Sequence, residues 1–366
     1  MKNKLPAFDL LTMLMAVALT SIGLVFVLTS SFIWAQHRFD DPFFFLKRQL
    51  LFAGIGVVGM LFISRIDYRI YKRYANHFFF GSFILLTSVL IPGIGVVRGG
   101  ARSWIGVGAF TIQPSEFMKL ALIIFLAKFM SNNVEEAKTF KKGLIPMLLV
   151  VGVIFADIML QPDFGSGMVL VATSIIMMFV GGVPIKYFGY FGLGGVVGIV
   201  SLIISAPYRL ARITAYLDPF SDPRGTGFQI IQSLYAIAPA GLLGRGLGNS
   251  VQKYFYLPEP QTDFIFAILA EELGFIGSAG VLLIFLFFFI RCCHIIMKTK
   301  DLFGKYIVVG IMSMLMVQVM INIGVVIGLL PVTGITLPFL SYGGSSLTIT
   351  LLSIGLILNI SRYMEA

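Results

Sequence analysis

Apolar residues in this chain neither alternate with polar ones nor keep to one helical face; they run in long blocks separated by short polar stretches. Blocks of about 17 to 25 mostly apolar residues suit helices that cross a hydrocarbon layer roughly 30 Å thick. Ten can be read, near 10 to 34, 49 to 64, 78 to 97, 115 to 130, 144 to 161, 165 to 183, 188 to 205, 263 to 290, 306 to 327 and 345 to 361, the second and tenth least pronounced. The pattern predicts an all-α, polytopic membrane protein with about ten transmembrane helices. Leu10 to Trp34 is too long for a signal-peptide core and lacks a small-residue cleavage pattern, so it reads as a retained first helix.

Composition agrees: 58% hydrophobic and 12% charged residues, 35 of them Phe, lie far from the mix of a water-soluble domain. Charge adds orientation, because Lys and Arg favour the cytoplasmic side in short loops. With the N-terminus inside, sixteen basic residues collect on that side, Lys2, Lys4, Lys141, Lys142, Lys186, Lys298 and Arg362 among them, against ten outside, with Lys119 near a span end. Both termini are therefore expected in the cytoplasm, on a cell-membrane protein. The net charge of +10 calls for no nucleic acid, since most basic residues flank helices where anionic headgroups lie. Cys292 and Cys293 are adjacent, which suits reduced thiols at a cytoplasmic helix end and not a disulfide framework.

No linker or repeat interrupts the blocks, so residues 1–366 read as a single domain. Two outer segments break the short-loop rhythm. Residues 206–262, between the seventh and eighth spans, mix Tyr, Phe, Ile and Leu with Gly and Pro, and long loops of that kind serve as caps or lids more than as spacers. LLPVTGITLPFLSYGG, residues 329–344, carries no charge and reads as re-entrant. Irregular backbone survives at membrane depth only when buried in protein or facing a water-filled cavity.

Three helices are expected to begin outside with related chemistry: TIQPSEFMK, LQPDFGSG and PEPQTDFIF pair a proline with Glu116, Asp163 and Asp263. Pro at the first helical position and an acid near the positive end of the helix dipole account for each one singly. Together they suggest more, because ionisable groups at membrane depth usually face a cavity or a partner. Lys119 follows Glu116 on the same helical face, either as a structural ion pair or as the wall of an outward-facing cleft, and the pattern alone leaves both open. Arg48, Arg98, Arg102, Arg209, Arg212, Arg224, Arg245 and Lys253 also fall outside, and guanidinium groups would suit an anionic lipid head. Snorkelling explains Arg48 and Arg209 equally well.

Other signals are weaker than they look. GLLGRGLGNS lacks the Gly-Lys-Ser/Thr ending of a phosphate loop and reads as a tight turn. Asp218 and Asp222 lack the ligand density of a calcium loop, and His37, His77 and His294 are scattered. No metal ligand is assigned.

The stretch RITAYLDPFSDPRGTGFQIIQSLYAIAPAGLLGRGLGNSVQKYFYLPEPQTDFIFAILAEELGFIG, with IQPSEFMK, LQPDFGSG and LLPVTGITLPFLSYGGSS, resembles the SEDS family (shape, elongation, division and sporulation), and most of all its sporulation branch. The resemblance covers nearly the whole chain. It implies a ten-helix glycosyltransferase that polymerises lipid II into peptidoglycan outside the membrane, alongside a class B penicillin-binding protein. It also implies that Asp263 is the essential acid, that Glu116, Lys119 and Asp163 match the family's polar cavity, and that Arg48 and Arg102 match basic positions near it.

The chemistry can be argued independently. Joining sugars from a lipid pyrophosphate needs a base for the acceptor hydroxyl, while the pyrophosphate leaves once its charge is stabilised, by Arg and Lys or by a divalent cation such as Mg or Mn. One carboxylate suffices, and Asp263 is expected to be that base. Glu271 lies eight residues on, roughly 12 Å along a helix, too far for the two-acid pair of a hydrolase. Two alternatives stay open: a lipid II flippase, for which Asp157 would be an ionisable group near mid-membrane, and a non-catalytic scaffold. Glu271 and Glu272 point about 100° apart on a helix, which argues against one shared site and for at least one of them being buried against a basic or backbone partner.

Overall fold

The structure is a computed structural model in which residues 7–98, 101–107, 110–204 and 207–364 are described. It is mostly helical, and each of the ten apolar blocks overlaps a helix: α1 (Leu10–Phe39), α2 (Phe44–Ile63), α3 (Arg69–Ser88), α4 (Pro114–Asn132), α6 (Ile145–Leu160), α7 (Phe164–Val180), α8 (Ile185–Ile204), α11 (Ile265–Lys298), α12 (Leu302–Val326) and α13 (Gly344–Ser361). Between them lie α5 (Val134–Ala137) with a π-helical turn, and α9 (Pro207–Leu217) and α10 (Phe228–Ile237) in the long loop. Among the described residues six helices are long and apolar enough to cross a membrane: α1, α2, α6 with its preceding π turn, α11, α12 and α13.

Two departures from the expected pattern have physical causes. α3 begins at Arg69, well before residue 78, because the charged turn RIYKRY is helical with its basic side chains turned outward. The block then ends early, and three strands, β1 (Gly95–Arg98), β2 (Ala101–Val107) and β3 (Phe110–Ile112), form an antiparallel sheet in that order. This is a small β element in a chain expected to be all-α. Its β-branched and aromatic residues, VV, WI and FTI, favour strands.

α12 and α13 are the most enclosed spans, with α12 packed on α4, α7 and α11, and α13 along α2. One end of the bundle is pinned where α1 starts: Asp9 caps α1, accepts from Arg291 Nε of α11 at 2.6 Å, and its amide donates to Ser361 Oγ of α13 at 2.9 Å. At the same end Asn359 Nδ2 donates to the Ser64 carbonyl at 2.9 Å and Asn359 Oδ1 accepts from the Tyr68 amide at 2.9 Å. The opposite end gathers the starts of α2, α4, α7, α11 and α13 around the uncharged segment that follows α12.

That segment enters the bundle. Val332, Ile335, Leu337, Phe339 and Leu340 are buried, and the backbone at Phe339 and Leu340 presses on Gly23 near the middle of α1. A Cβ at Gly23 would lie 2.4 Å from the Phe339 carbonyl oxygen, so only glycine admits the approach. The re-entrant reading stands: the irregular backbone is enclosed by protein, as it must be at that depth.

Candidate active site

The re-entrant segment is the hub of the site. Gln49 of α2, almost fully buried, donates to the Ser341 carbonyl at 3.0 Å and accepts from the Gly343 amide at 3.2 Å. The Tyr342 amide donates to the Gln261 carbonyl at 2.8 Å, which fixes the chain two residues before Asp263. Asn322 of α12 uses both hydrogens of Nδ2, one to the Asp263 carbonyl at 2.7 Å and one to the Ile335 carbonyl at 2.8 Å. At the start of α13, Ser345 Oγ accepts from the Gln113 amide at 3.3 Å, and Gln113 Nε2 reaches Asp163 Oδ2 at 2.9 Å. Side-chain bonds through Gln113 and Ser345 thus tie the Asp163 turn, and a backbone bond together with Asn322 ties the Asp263 turn, to one short stretch of chain.

The three outer acids, alike in sequence, differ in their partners. Glu116, in the first turn of α4, takes Lys119 Nζ at 2.8 Å, and both side chains are buried. Asp163 is the N-cap of α7: Oδ1 accepts from the Ser166 amide at 3.1 Å while Oδ2 takes Gln113. Asp263 stands two residues before α11 begins and caps nothing. The Thr262 hydroxyl donates to its side chain at 2.9 Å, and its own backbone amide adds a second, local hydrogen bond. Burial raises its pKa to about 6; the Thr262 hydroxyl opposes the rise, Glu259 adds to it and Arg212 opposes it.

Arg48 and Arg102 are placed less closely. Arg48 is half-buried and stacks on Phe44, its guanidinium carbon 3.9 Å from the ring centre, beside Gln49. Arg102 is exposed on β2, opposite Val97. No ion pair joins either to the three acids among the described residues. Gln49, Gln113, Asn322 and Thr262 were not singled out in the sequence; what could have found them is a polar side chain within an apolar block or beside a motif acid.

Asp157 lies one turn from the end of α6, not at mid-membrane, held by the Thr87 hydroxyl at 2.7 Å and Gln161 Nε2 at 3.4 Å. Glu271 and Glu272 also depart from expectation, because they serve one segment. α11 breaks at Gly274 (φ 65°, ψ −162°), and residues 241–246 fill the gap in its hydrogen bonding. The Arg245 and Gly246 amides donate to the Glu271 and Glu272 carbonyls at 2.9 Å each, while the Phe275 and Ile276 amides donate to Gly241 and Leu242 at 2.9 and 3.1 Å. A side chain at Gly244 (φ 73°) or at Gly274 would run into the other strand's backbone. Glu271 then accepts from Ser250 Oγ at 2.5 Å, Val251 N at 2.9 Å and Gln252 N at 3.3 Å, with Arg245 Nε at 3.4 Å. Glu272 faces the Ser250 amide at 3.4 Å and Lys253 Nζ at 3.7 Å. The segment wraps the helix, so two carboxylates about 100° apart reach it from both sides. GLLGRGLGNS is therefore a plug of turns and not a phosphate loop.

The overall fold is shared with solved structures. A family model described as cell cycle protein, FtsW/RodA/SpoVE, matches residues 9–366. The chain belongs to that family. Stage V sporulation protein E of Bacillus subtilis (strain 168) is 57% identical over 363 residues, 99% of each chain. The probable peptidoglycan glycosyltransferase FtsW of Geobacter sp. (strain M18) is 43% identical over 363 residues, again 99% of each. Among solved structures, a chain from work on the coordination of polymerization and crosslinking by a peptidoglycan synthase complex superposes with a TM-score of 0.80 at 30% identity, covering 98% of this chain and 99% of that one. The rod shape determining protein RodA of Thermus thermophilus gives 0.71 at 27% identity, covering 98% of each.

Within the family fold, the described residues hold no group of three or more His, Cys, Asp or Glu gathered to bind a metal ion. Glu259 is the one other acid whose charge acts on Asp263 among the described residues, so a divalent cation there would need oxygens from a bound pyrophosphate to complete its shell.

Proposed function

We propose that this chain is a peptidoglycan glycosyltransferase that polymerises lipid II on the outer face of the cell membrane, with Asp263 as general base. The observation that carries this is the state of Asp263: a carboxylate beside the re-entrant segment, with one side-chain partner, a hydroxyl, and a pKa of about 6, which leaves it largely ionised and outside any ion pair at neutral pH. In the proposed reaction it takes the proton of the acceptor sugar's hydroxyl as that oxygen bonds to the donor's anomeric carbon, and the bond to pyrophosphate breaks. Lys119, Arg48 and Arg102, or a divalent cation, offset the charge of the departing group. The high identity to a stage V sporulation protein supports a role in building spore cortex, in the membrane that engulfs the forespore.

In this reading the chain is one domain whose ten apolar blocks all cross the bilayer, with both termini cytoplasmic and the loop 206–262 outside between the seventh and eighth spans. A class B penicillin-binding protein is the partner that would crosslink the strands. Flipping of lipid II is the poorer account. It needs polar groups along the whole path, and among the described residues each acid lies near one end of the bundle.

Purified protein in detergent or vesicles, given lipid II with and without the partner, tests the proposal. Wild type is expected to form glycan polymer, and Asp263→Asn to lose about 10²- to 10⁴-fold in rate, the range of general-base contributions. Normal polymer from Asp263→Asn would overturn the assignment; lipid II crossing the bilayer without polymer would make the protein a flippase, and no product under any condition a scaffold.

A further inference from the structure

α9 lies in the long outer loop and puts Arg209, Arg212 and Tyr216 on one face, since residues three and four apart are helical neighbours. That face is turned to the site. The Tyr216 hydroxyl donates to the Leu329 carbonyl and Arg212 Nη1 to the Val332 carbonyl, both at 3.1 Å. Arg209 Cζ lies 5.9 Å from the ring centre of Phe164, the residue after Asp163. α9 thus spans from the start of α7 to the re-entrant segment, which Asn322 ties to Asp263 through the Ile335 carbonyl.

Arg212 is close enough to Asp263 for its charge to act on the carboxyl, yet no ion pair joins them among the described residues. Each is held elsewhere: Asp263 by Thr262, Arg212 by the Val332 carbonyl. That bond occupies one of the five N–H donors of an exposed guanidinium. A carboxylate and a guanidinium held apart beside the same re-entrant segment can each take a different part of one reactant. Sugar transfer from a pyrophosphate needs that separation, because the attacking oxygen and the leaving oxygen lie on opposite sides of the anomeric carbon.

We propose that Arg212 binds the pyrophosphate of the lipid-linked donor, facing Asp263 across the reacting sugar. The inference rests on the polymerase reading. The acceptor proton passes to Asp263, the new C–O bond forms, and the electron pair of the broken C–O bond leaves on pyrophosphate, whose added charge the guanidinium receives through paired N–H bonds. α9 then acts as the part of the outer loop that completes the site.

The test uses the full chain in vesicles and a polyprenyl pyrophosphate without sugars as probe. Arg212→Gln is expected to weaken probe binding by about ten-fold or more, as for loss of a charge-assisted bond, with the thermal midpoint unchanged. Arg212→Lys should lose less, and Asp263→Asn should bind as wild type does. With lipid II, the acid limb of the Arg212→Gln rate profile should move to higher pH. Unchanged probe affinity in Arg212→Gln would overturn the proposal, as would equal losses in the Lys and Gln variants with a lowered thermal midpoint, which would mean a packing role. Wild type that binds the probe yet makes no polymer sinks the polymerase reading; wild type that polymerises while Arg212→Gln is indifferent sinks Arg212 alone.

Discussion

Asp263 and the pair Glu271 and Glu272 belong to one helix and its approach, but their surroundings are opposite. Glu271 meets a hydroxyl, two amides and a guanidinium, and Glu272 an amide and an ammonium. Asp263 meets one hydroxyl and its own backbone amide, and burial works against its charge. Glu271, fully partnered, and Glu272, held through Oε1 alone, keep the outer loop in the break of α11; the Asp263 carboxyl holds no segment in place and is free for a proton. The structural acids are recognised here by the loop they anchor, Glu271 through four donors and Glu272 through the Ser250 amide and Lys253, and the reactive one by anchoring none.

The largest stability effect should come from the anchoring side. Glu271→Ala leaves the buried Ser250 hydroxyl and Gln252 amide without their acceptor, and each buried donor so orphaned costs about 1 to 3 kcal/mol. Thermal unfolding in detergent should show the drop; an unchanged midpoint would break the contrast between the two regions. Gly274→Ala comes next. Its φ of 65° with ψ of −162° is tolerated essentially by glycine alone, and a Cβ would lie 2.3 Å from the Gly244 nitrogen. A loss of about 1 to 3 kcal/mol is expected, with proteolysis of the loop 206–262 as a second readout.

Asp263→Asn should do the reverse. Because the folded-state pKa of about 6 lies above the ordinary 3.8, the folded protein favours the protonated form, so the contribution of Asp263 to stability is full below pH 3.8 and lost as pH rises through 6. The Asn variant escapes that loss and should be more stable above pH 6, on the order of 2 kcal/mol, with the advantage vanishing toward pH 4. A variant less stable than wild type at neutral pH would show that Asp263 is structural after all. The smallest effect is expected from Thr262→Val, which removes a hydrogen bond to the ionised carboxyl. The acid limb of the rate profile should rise by well under two pH units, as one bond of about 0.5 to 1.5 kcal/mol allows.

Much of the fold was legible because lipid imposes long apolar blocks, and each block meets a helix. The three-stranded sheet and the early start of α3 were not, since hydropathy averages over a charged helical turn and short strands leave no block. Motif spacing brought out Glu116, Asp163 and Asp263 but could not rank them. Lys119, the Ser166 amide with Gln113, and Thr262 rank them only in three dimensions. Asn322 stayed hidden because it touches the backbone of Asp263 from a helix 59 residues away. The joint role of Glu271 and Glu272 was hidden by the break at Gly274, which lets a loop reach two faces of one helix.

The rate of lipid II polymerisation by the purified wild-type protein, measured against pH, tests the central claim most directly. A half-buried Asp263 acting as base predicts that kcat/KM falls on the acid side with a midpoint near 6. A profile that stays flat down to pH 4, or an acid limb that survives unchanged in Asp263→Asn, would contradict it.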